Sequence, residues 1–509
     1  MTAPDTAMAV PQGTNEPIPR AVIAALAMVA AADWLLYGEP QPGISIALFF
    51  VALALAVAWT NAATLTLRTG LVGSVPLALA LLPGLENPGL LPFLFAAGGT
   101  AVFALAASGR FHGAPAERAT QLAGLIVLGP FRLIPDAIHA RAIWRRRLVG
   151  RLSVGQTAAS ILPVILFAVF MALFAKANPV FDRWLAALDI SALLSRLDAV
   201  RFVFWFLAAS FAWAFIRARR EPVRKRIANP AAAPDPARTP VPGTLLGVSI
   251  VLRSLLAFNL LFAVQTALDL AYLWGGLALP DGITHAEYAH RGAYPLVVVA
   301  LLSAAFVLVA MRPGGDADRA PAIRVLVLVW IGQNVLLVVS SVLRLDLYIE
   351  AYSLTVLRVA AFIWMGLVAA GLVLIVVRIL FARSNAWLIG ANALTLIVTL
   401  YATCFVNWPY VIARYNVDHS FEIAHEGPSL DAHYLYILGP QTIPVLEAFV
   451  ARLDGKPFRK RELAETYAGR LRDGFANSRN GWRRWSLRDQ RLADYLSGEP
   501  DGKAGLGDR

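Results

Sequence analysis

The chain alternates long apolar runs with short polar segments over most of its length. An apolar run of about 17–25 residues is long enough to cross a bilayer as an α-helix. The third such run is the least regular, because it carries Arg68, Pro76 and Pro83. The pattern predicts an all-α polytopic membrane protein with about eleven transmembrane helices. Their expected positions are 21–37, 43–60, 64–83, 90–108, 155–175, 200–217, 248–274, 293–311, 324–343, 354–377 and 385–406.

The polar segments between these runs predict how the chain is organised. Residues 1–19 are polar and Pro-rich and lack the basic start of a secretory signal, so the first apolar helix is expected to be retained. The Arg- and Pro-rich stretch at 217–243 resembles a flexible linker. The predicted parts are a disordered cytoplasmic N-terminus at 1–19, a first membrane block of about six helices at 20–216, a basic cytoplasmic linker at 217–243, a second block of about five helices at 244–406, a small extracytoplasmic helical tail at 407–496 and a disordered C-terminus at 497–509.

Composition supports the membrane class. Hydrophobic residues make up 58% of the 509 positions, charged residues make up 15%, and the mean hydropathy is +0.61. Soluble domains have roughly 45–50% apolar and about 25% charged residues. Cys404 is the single cysteine, which excludes an intramolecular disulfide and a cysteine-based metal site.

The net charge of +12 raises the question of nucleic-acid binding, but the distribution of the charge favours a membrane explanation. Most arginines lie in short loops beside apolar runs, where positive charge sets the orientation of a membrane protein. The bias predicts an inner-membrane protein with a cytoplasmic N-terminus and an extracytoplasmic C-terminus, and no nucleic-acid motif argues otherwise.

A polar group at the end of the seventh apolar run is the first candidate for chemistry. Gln265, Asp269 and Tyr272 follow the spacing i, i+4 and i+7, which places them on one helical face. An ionisable side chain at membrane depth is costly and is retained where it is paired, solvated or functional. Two interpretations stay open: an outward-opening ion or proton site, and a set of hydrogen bonds between helices.

Two further segments extend this candidate cluster on the same predicted outer side of the membrane. Glu287 lies between His285 and His290, and Arg291 directly follows His290. An i, i+4 ion pair between Glu287 and Arg291 explains these two residues without a metal. The next predicted outer loop carries Arg344, Asp346 and Glu350, and Arg358 follows it inside an apolar run. We expect Arg358 to pair with Asp269, Asp346 or Glu350. The candidate polar cluster comprises Gln265, Asp269, Tyr272, Glu287, Arg291, Arg344, Asp346, Glu350 and Arg358.

The tail after the last run contains three histidines among carboxylates, at His419, His425 and His433. Their spacing matches no familiar zinc signature, so we expect no metal site and no cofactor. Apolar positions at helical period within 441–495 predict short helices with a basic face. That face suits anionic lipid head groups or an envelope polymer, in addition to the membrane lipids around the helices. The sequence does not indicate an oligomeric state.

Four ordered motifs resemble a bacterial family of polytopic membrane proteins catalogued as domain of unknown function 4173, which is related to 4153. The motifs are Gln265–Gly276, Ala286–Gly292, Leu347–Arg358 and Ala413–Val417. Ser353 stands where the resemblance implies a glycine, and Pro295 stands where it implies an acidic residue. The resemblance implies a helical membrane architecture and no particular reaction.

No phosphate-binding loop, kinase signature, nucleophile elbow or His-Glu-x-x-His motif occurs in the sequence. The first hypothesis is a non-enzymatic membrane protein that senses, scaffolds or binds envelope components. The alternatives are a secondary transporter or channel that uses the polar cluster, and a membrane enzyme that acts on a lipid-linked substrate. A lateral groove beside Glu287 or Asp346 would favour the enzyme, whereas sealed ion pairs would disfavour transport.

Overall fold

The structure is a computed structural model, and it describes residues 18–39, 42–111, 113–138, 198–218, 248–274, 302, 320–453, 459–478 and 481–498. All the regular elements within these ranges are helical. The α-helices are α1 (Ile18–Leu36), α2 (Ile44–Thr60), α3 (Leu67–Glu86), α4 (Leu90–Ala107), α5 (Pro115–Leu128), α6 (Ala199–Ile216), α7 (Val248–Asp269), α8 (Pro321–Tyr352), α9 (Val356–Leu380), α10 (Asn385–Thr403), α11 (Trp408–Asp418), α12 (Phe421–Ala424), α13 (Ala432–Ile437), α14 (Ile443–Arg452), α15 (Arg459–Ser478) and α16 (Leu487–Ser497).

The chain forms two compact units, Met1–Val223 and Arg224–Arg509. In the first unit, α1 packs on α2 and α6, and α3 packs along α4. The α3–α4 contact is close because small residues line it: a Cβ on Gly99 would lie 2.5 Å from the Cβ of Ala80. The core of this unit is rich in alanine and phenylalanine, with Phe50 and Phe215 fully buried.

In the second unit, the long helix α8 packs against both α7 and α9, and α10 packs against α9. Trp330 of α8 is fully buried, and its ring centroid lies 6.4 Å from that of Phe262 in α7. The α7 helix ends in a single π-helical turn, Leu270–Trp274.

Helices α11 to α16 form a small helical tail after α10. It has its own apolar core, in which Leu435, Leu446 and Phe449 have no exposed surface. A second apolar cluster joins the tail to the membrane helices, because Ile412 of α11 packs with Ile349 of α8 and Val359 of α9. This cluster positions the candidate site described below.

Six described helices are long and apolar enough to cross a membrane: α3, α4, α7 with its extension to Tyr272, α8, α9 and α10. The third run is therefore one of them, despite its two prolines. Helices α2 and Val200–Ile216 are apolar but shorter. The run at 155–175 lies outside the described residues, as does the run at 293–311 apart from residue 302. Helix α5 and Pro130–Ile138 form a pair bent by 58°, which gives up to seven spans. Eleven spans thus remain a prediction, while the all-helical fold with several candidate spans is confirmed.

Candidate functional site

A buried ion pair joins α7 to α8. Asp269 is the last residue of α7, and Arg344 lies about two turns before the end of α8. Both residues are almost fully buried, at 1% and 2% exposure. Arg344 Nη2 donates a hydrogen bond to Asp269 Oδ1, and Gln265 Nε2 donates to the same oxygen at 2.9 Å. The common helical face of Gln265 and Asp269 places both at this contact, so the structure brings three residues of the candidate cluster together.

The surroundings of the pair explain its chemistry. Arg344 shares a face of α8 with Ser341 and Leu337, and both of these residues are buried. Charges taken out of water require a partner of opposite charge and hydrogen bonds, or the cost of desolvation dominates. Two described neighbours therefore engage the Asp269 carboxylate, which is closed to solvent. This burial disfavours a freely exchanging ion site at the carboxylate.

Arg358 does not make the contact expected from the sequence. Its Nη1 donates to the carbonyl oxygens of Tyr352, at 2.7 Å, and of Ser353. Its guanidinium also lies 4.4 Å from the centroid of the Tyr348 ring. The predicted pairing with a carboxylate is wrong within the part of the chain that the structure describes. The physical reason is that α8 continues to Tyr352, so its last carbonyls are the acceptors nearest to Arg358 at the start of α9.

The same continuation of α8 changes the expected outer loop. Residues 344–352 are helical and form the last turns of α8. Asp346 and Glu350 lie one turn apart on this helix, and both are exposed. They are separated from Arg344, which points into the protein. The candidate cluster is thus divided into a buried part and an exposed part.

The remaining members of the predicted cluster lie in the turn after α7 or outside the described residues. Tyr272 lies in the π-helical turn after Asp269 and is half-buried. Glu287 and Arg291 lie outside the described residues, as do His285 and His290. The relation of these residues to Asp269 stays a prediction.

The short connection between α8 and α9 is held by the tail. The Asn416 side chain accepts a hydrogen bond from Leu354 N at 2.6 Å and donates one to Leu354 O at 2.9 Å. Both groups are buried, so Asn416 satisfies a backbone donor and acceptor that would otherwise be desolvated. Ser353 precedes this contact with a φ of 67° and a ψ of 167°, a conformation that favours glycine. The glycine that the family resemblance implies at this position therefore has a physical reason.

Two adjoining cavities flank Tyr415. The first, called the polar cleft, has a volume of about 350 Å³. The second, called the apolar groove, has a volume of about 230 Å³. Ile349 and Tyr415 line both cavities. The polar cleft is further lined by Glu350, Ser353, His419, Glu426 and Gly427. The apolar groove is further lined by Asp346, Val359, Phe362, Ile363, Trp408 and Val411.

The titratable groups of the polar cleft are mainly acidic. Burial raises the pKa of the Tyr415 phenol, and the nearby carboxylates of Asp346 and Glu350 raise it further. The His419 ring stacks on Tyr415 with centroids 4.1 Å apart, and its Nδ1 lies 2.9 Å from Tyr415 O. When Nδ1 carries the proton and donates to this carbonyl, Nε2 is the acceptor. The cleft therefore combines two glutamates with an imidazole that can accept a proton.

The loop that closes the polar cleft is shaped by a buried glutamate. Glu422 accepts hydrogen bonds from Ser429 Oγ at 2.8 Å and from Leu430 N at 3.0 Å. Gly427 has a φ of 83°, and a Cβ there would lie 2.7 Å from His419 O. This position therefore requires glycine for both its conformation and its close approach.

The tail's histidines do not form a common site. His433 contacts the rings of Tyr436 and Tyr467, whereas His419 stacks on Tyr415. Among the described residues, no three His, Cys, Asp or Glu side chains are close enough to hold a metal ion. Part of the predicted basic face serves the fold of the tail: Lys460 Nζ donates to Leu430 O at 2.6 Å.

Two important contacts were not foreseen. Asn416 lies within the Ala413–Val417 motif, but its partner is 62 positions away, and local spacing carries no signal for such a contact. In the first unit, Arg201 forms a bidentate pair with Asp33, and Trp205 Nε1 donates to the same carboxylate at 2.8 Å. Asp33 lies in an apolar run, so the argument applied to Asp269 could have identified it.

Comparisons with known proteins give one match. A family model described as "Domain of unknown function (DUF4153)" matches residues 18–449. No curated protein and no solved structure matches the chain. The sequence resemblance is therefore confirmed for the related family 4153 and not for 4173.

Proposed function

The chain belongs to the DUF4153 family, and from that premise we propose that it binds a membrane lipid or lipid-linked molecule in the polar cleft and apolar groove around Tyr415. Its apolar helices and its family fit an integral membrane protein of unknown activity. The observation that carries the proposal is that an apolar groove and an acidic cleft share one wall, formed by Ile349 and Tyr415. An amphiphilic molecule has the same two parts.

The position of the apolar groove supports an acyl chain as its occupant. Val359, Phe362 and Ile363 line it from the first turns of α9, a candidate membrane span. The same end of α9 exposes Val356 and Leu357, at 49% and 80%. The groove is therefore continuous with an apolar helix surface that is suited to lipid tails.

The polar cleft supports a head group that carries an amine. Glu350 and Glu426 line the cleft, and Asp346 lies at the neighbouring groove. Carboxylates attract a cationic group and repel a purely anionic one. Binding of anionic lipid or envelope polymer through the tail is a separate proposal, supported by the exposed Arg459 and Arg470 on α15.

The arginine distribution supports an inner-membrane location with the cleft on the extracytoplasmic side. Non-enzymatic binding is the preferred function. A reaction on the bound lipid is the second candidate, because His419 can present Nε2 as a base beside Glu350. The transporter hypothesis is weakened by the closed Asp269–Arg344 pair.

Photochemical labelling tests the proposal. The full chain is reconstituted in vesicles of phosphatidylethanolamine and phosphatidylglycerol, with a trace of either lipid carrying a diazirine in its acyl chain. Labelled peptides are then located by mass spectrometry. We expect labelling to concentrate at 359–363 and 408–411, and phosphatidylethanolamine to label more than phosphatidylglycerol.

A matched pair of variants separates the groove from general contact with lipid. Val411→Trp fills the groove, whereas Val373→Trp adds the same ring to an exposed position of α9 outside it. The first variant should reduce labelling at 359–363 several-fold, and the second should leave it unchanged. Equal labelling in both variants, or uniform labelling along α9, would contradict the proposal.

A further inference from the structure

The packed pair α7–α8 contains a second polar region, well separated along α8 from the ion pair. Asn259 lies near the middle of α7, and Trp330, Gln333 and Asn334 lie on α8. Gln333 Nε2 donates to Asn259 O at 3.1 Å, and Asn259 Nδ2 donates to Leu326 O at 3.1 Å. On α8 itself, Asn334 Nδ2 donates to Trp330 O at 2.8 Å, so these two residues lie one turn apart beside Gln333. All four residues lie inside two candidate spans.

Each of these side chains has a polar atom that its own contacts leave unsatisfied. The amide nitrogens of Asn259, Gln333 and Asn334 donate to backbone carbonyls. Their oxygens, together with Trp330 Nε1, are buried and make no hydrogen bond within the part of the chain that the structure describes. The exposure of Asn334 and Trp330 is 0%, and that of Asn259 is 8%.

Leaving these four buried polar groups without hydrogen bonds would cost too much free energy. An unsatisfied amide group in an apolar environment costs roughly 2–7 kcal/mol, depending on the reference state. Four such groups together would cancel a total stability of about 5–15 kcal/mol. A bound group must therefore satisfy them.

The chemistry of the four groups selects the bound group. Trp330 and Asn334 have no exposed surface, so a second copy of the chain cannot reach them. Three acceptor oxygens require donors or a cation, whereas the Trp330 N–H requires an acceptor. Water satisfies both kinds of group, because it donates two hydrogen bonds and also accepts them. A buried water typically makes two to four hydrogen bonds to polar groups. A bare metal cation would leave the indole N–H without an acceptor.

We propose that the α7–α8 pair binds internal water at mid-span, in a site made by Asn259, Trp330, Gln333 and Asn334. The site is distinct from the buried ion pair, because the apolar Leu337 follows Asn334 on the same face of α8 before Arg344 is reached. The inference does not depend on the proposed lipid binding.

Radiolytic hydroxyl labelling tests the site in the full chain reconstituted in vesicles. Radicals that form from a bound water modify side chains beside it, even when these are buried. Trp213 is the matched control, because it is also buried, at 6%, but its Nε1 donates to Asp136 Oδ2 at 3.0 Å. We expect Trp330 to be labelled several-fold faster than Trp213. Equal protection of both would overturn the proposal.

Two further measurements make the result specific. Asn334→Leu replaces a water-binding amide with an apolar group of similar size, and it should reduce the labelling of Trp330 towards that of Trp213. Gel filtration establishes that this variant is folded, and the comparison in the parent chain decides the proposal in any case. Replacing sodium by choline should leave the labelling of Trp330 unchanged, and a change would indicate a cation in place of water.

Discussion

Breaking the Asp269–Arg344 pair should destabilise the second unit strongly. Asp269→Leu leaves the Arg344 guanidinium in a site of 2% exposure, and Arg344→Met leaves the Asp269 carboxylate in a site of 1% exposure. Removing one partner of a buried pair costs about 3–5 kcal/mol, because an uncompensated charge remains. Since 1.4 kcal/mol is a factor of ten, this corresponds to a shift of the unfolding equilibrium by about two to four orders of magnitude.

The double variant Asp269→Leu/Arg344→Met should recover most of this loss. Replacing a buried ion pair by apolar side chains of similar size is often neutral or stabilising. The measurement is unfolding in mixed micelles by a titration with sodium dodecyl sulfate, followed by circular dichroism. Asp346→Asn is the matched control on the same helix, because Asp346 is exposed and its replacement should change the free energy by less than about 0.5 kcal/mol.

Two outcomes would refute this reasoning. If each single variant were as stable as the parent, the two side chains would not be a desolvated ion pair. If the double variant were no more stable than the worse single variant, the two residues would act through separate partners, and the coupling energy of the cycle would be near zero.

Three further predictions concern the connection and the cleft beside the tail. Asn416→Ala should lower the unfolding free energy by about 1–3 kcal/mol, because it leaves the N–H and C=O of Leu354 buried without a partner, and unchanged thermal unfolding would contradict this role. Ser353→Gly should raise the free energy of unfolding by about 1 kcal/mol. Glycine relieves a backbone strain of roughly 1–3 kcal/mol at this position, and this gain exceeds the conformational entropy that glycine adds to the unfolded chain. A lower free energy of unfolding would show that the strain is absent. The Tyr415 pKa lies above its ordinary value, so its protonated form stabilises the fold below pH 10 and this contribution is lost as the pH rises through the folded-state pKa. Asp346→Asn should lower that pKa in a titration of labelled tyrosine by magnetic resonance, with Tyr415→Phe for assignment, and an unchanged midpoint would exclude Asp346 as a cause.

Particular residues show where sequence reasoning succeeds. Gln265 and Asp269 were placed on one helical face by their spacing of four, and they meet at one oxygen atom in the structure. This inference depends on local periodicity, which a sequence displays directly. The Ala413–Val417 motif marks the segment that contains Asn416, but the motif does not indicate the contact of Asn416 with Leu354 after α8.

Other residues show where it fails. Arg358 was expected to neutralise a carboxylate, but Arg344 occupies that position beside Asp269. Which of the two arginines meets Asp269 depends on where α8 ends. It also depends on the axial register of α8 against α7, that is, on which residue of α8 lies opposite Asp269. Hydrophobic periodicity fixes neither quantity, because it reports which face of a helix is apolar and not which residue of a neighbouring helix lies opposite.

By itself, the sequence determined that this protein is helical and built for a membrane, since long apolar runs satisfy their backbone groups in lipid by forming α-helices. It also determined that Asp269 required a partner, because an isolated charge at that depth is too costly. Only the tertiary structure decided which arginine supplies that partner. It also decided that Tyr415 separates an acidic cleft from an apolar groove, because these walls come from α8, α9 and α11, whose positions are set by packing between distant segments.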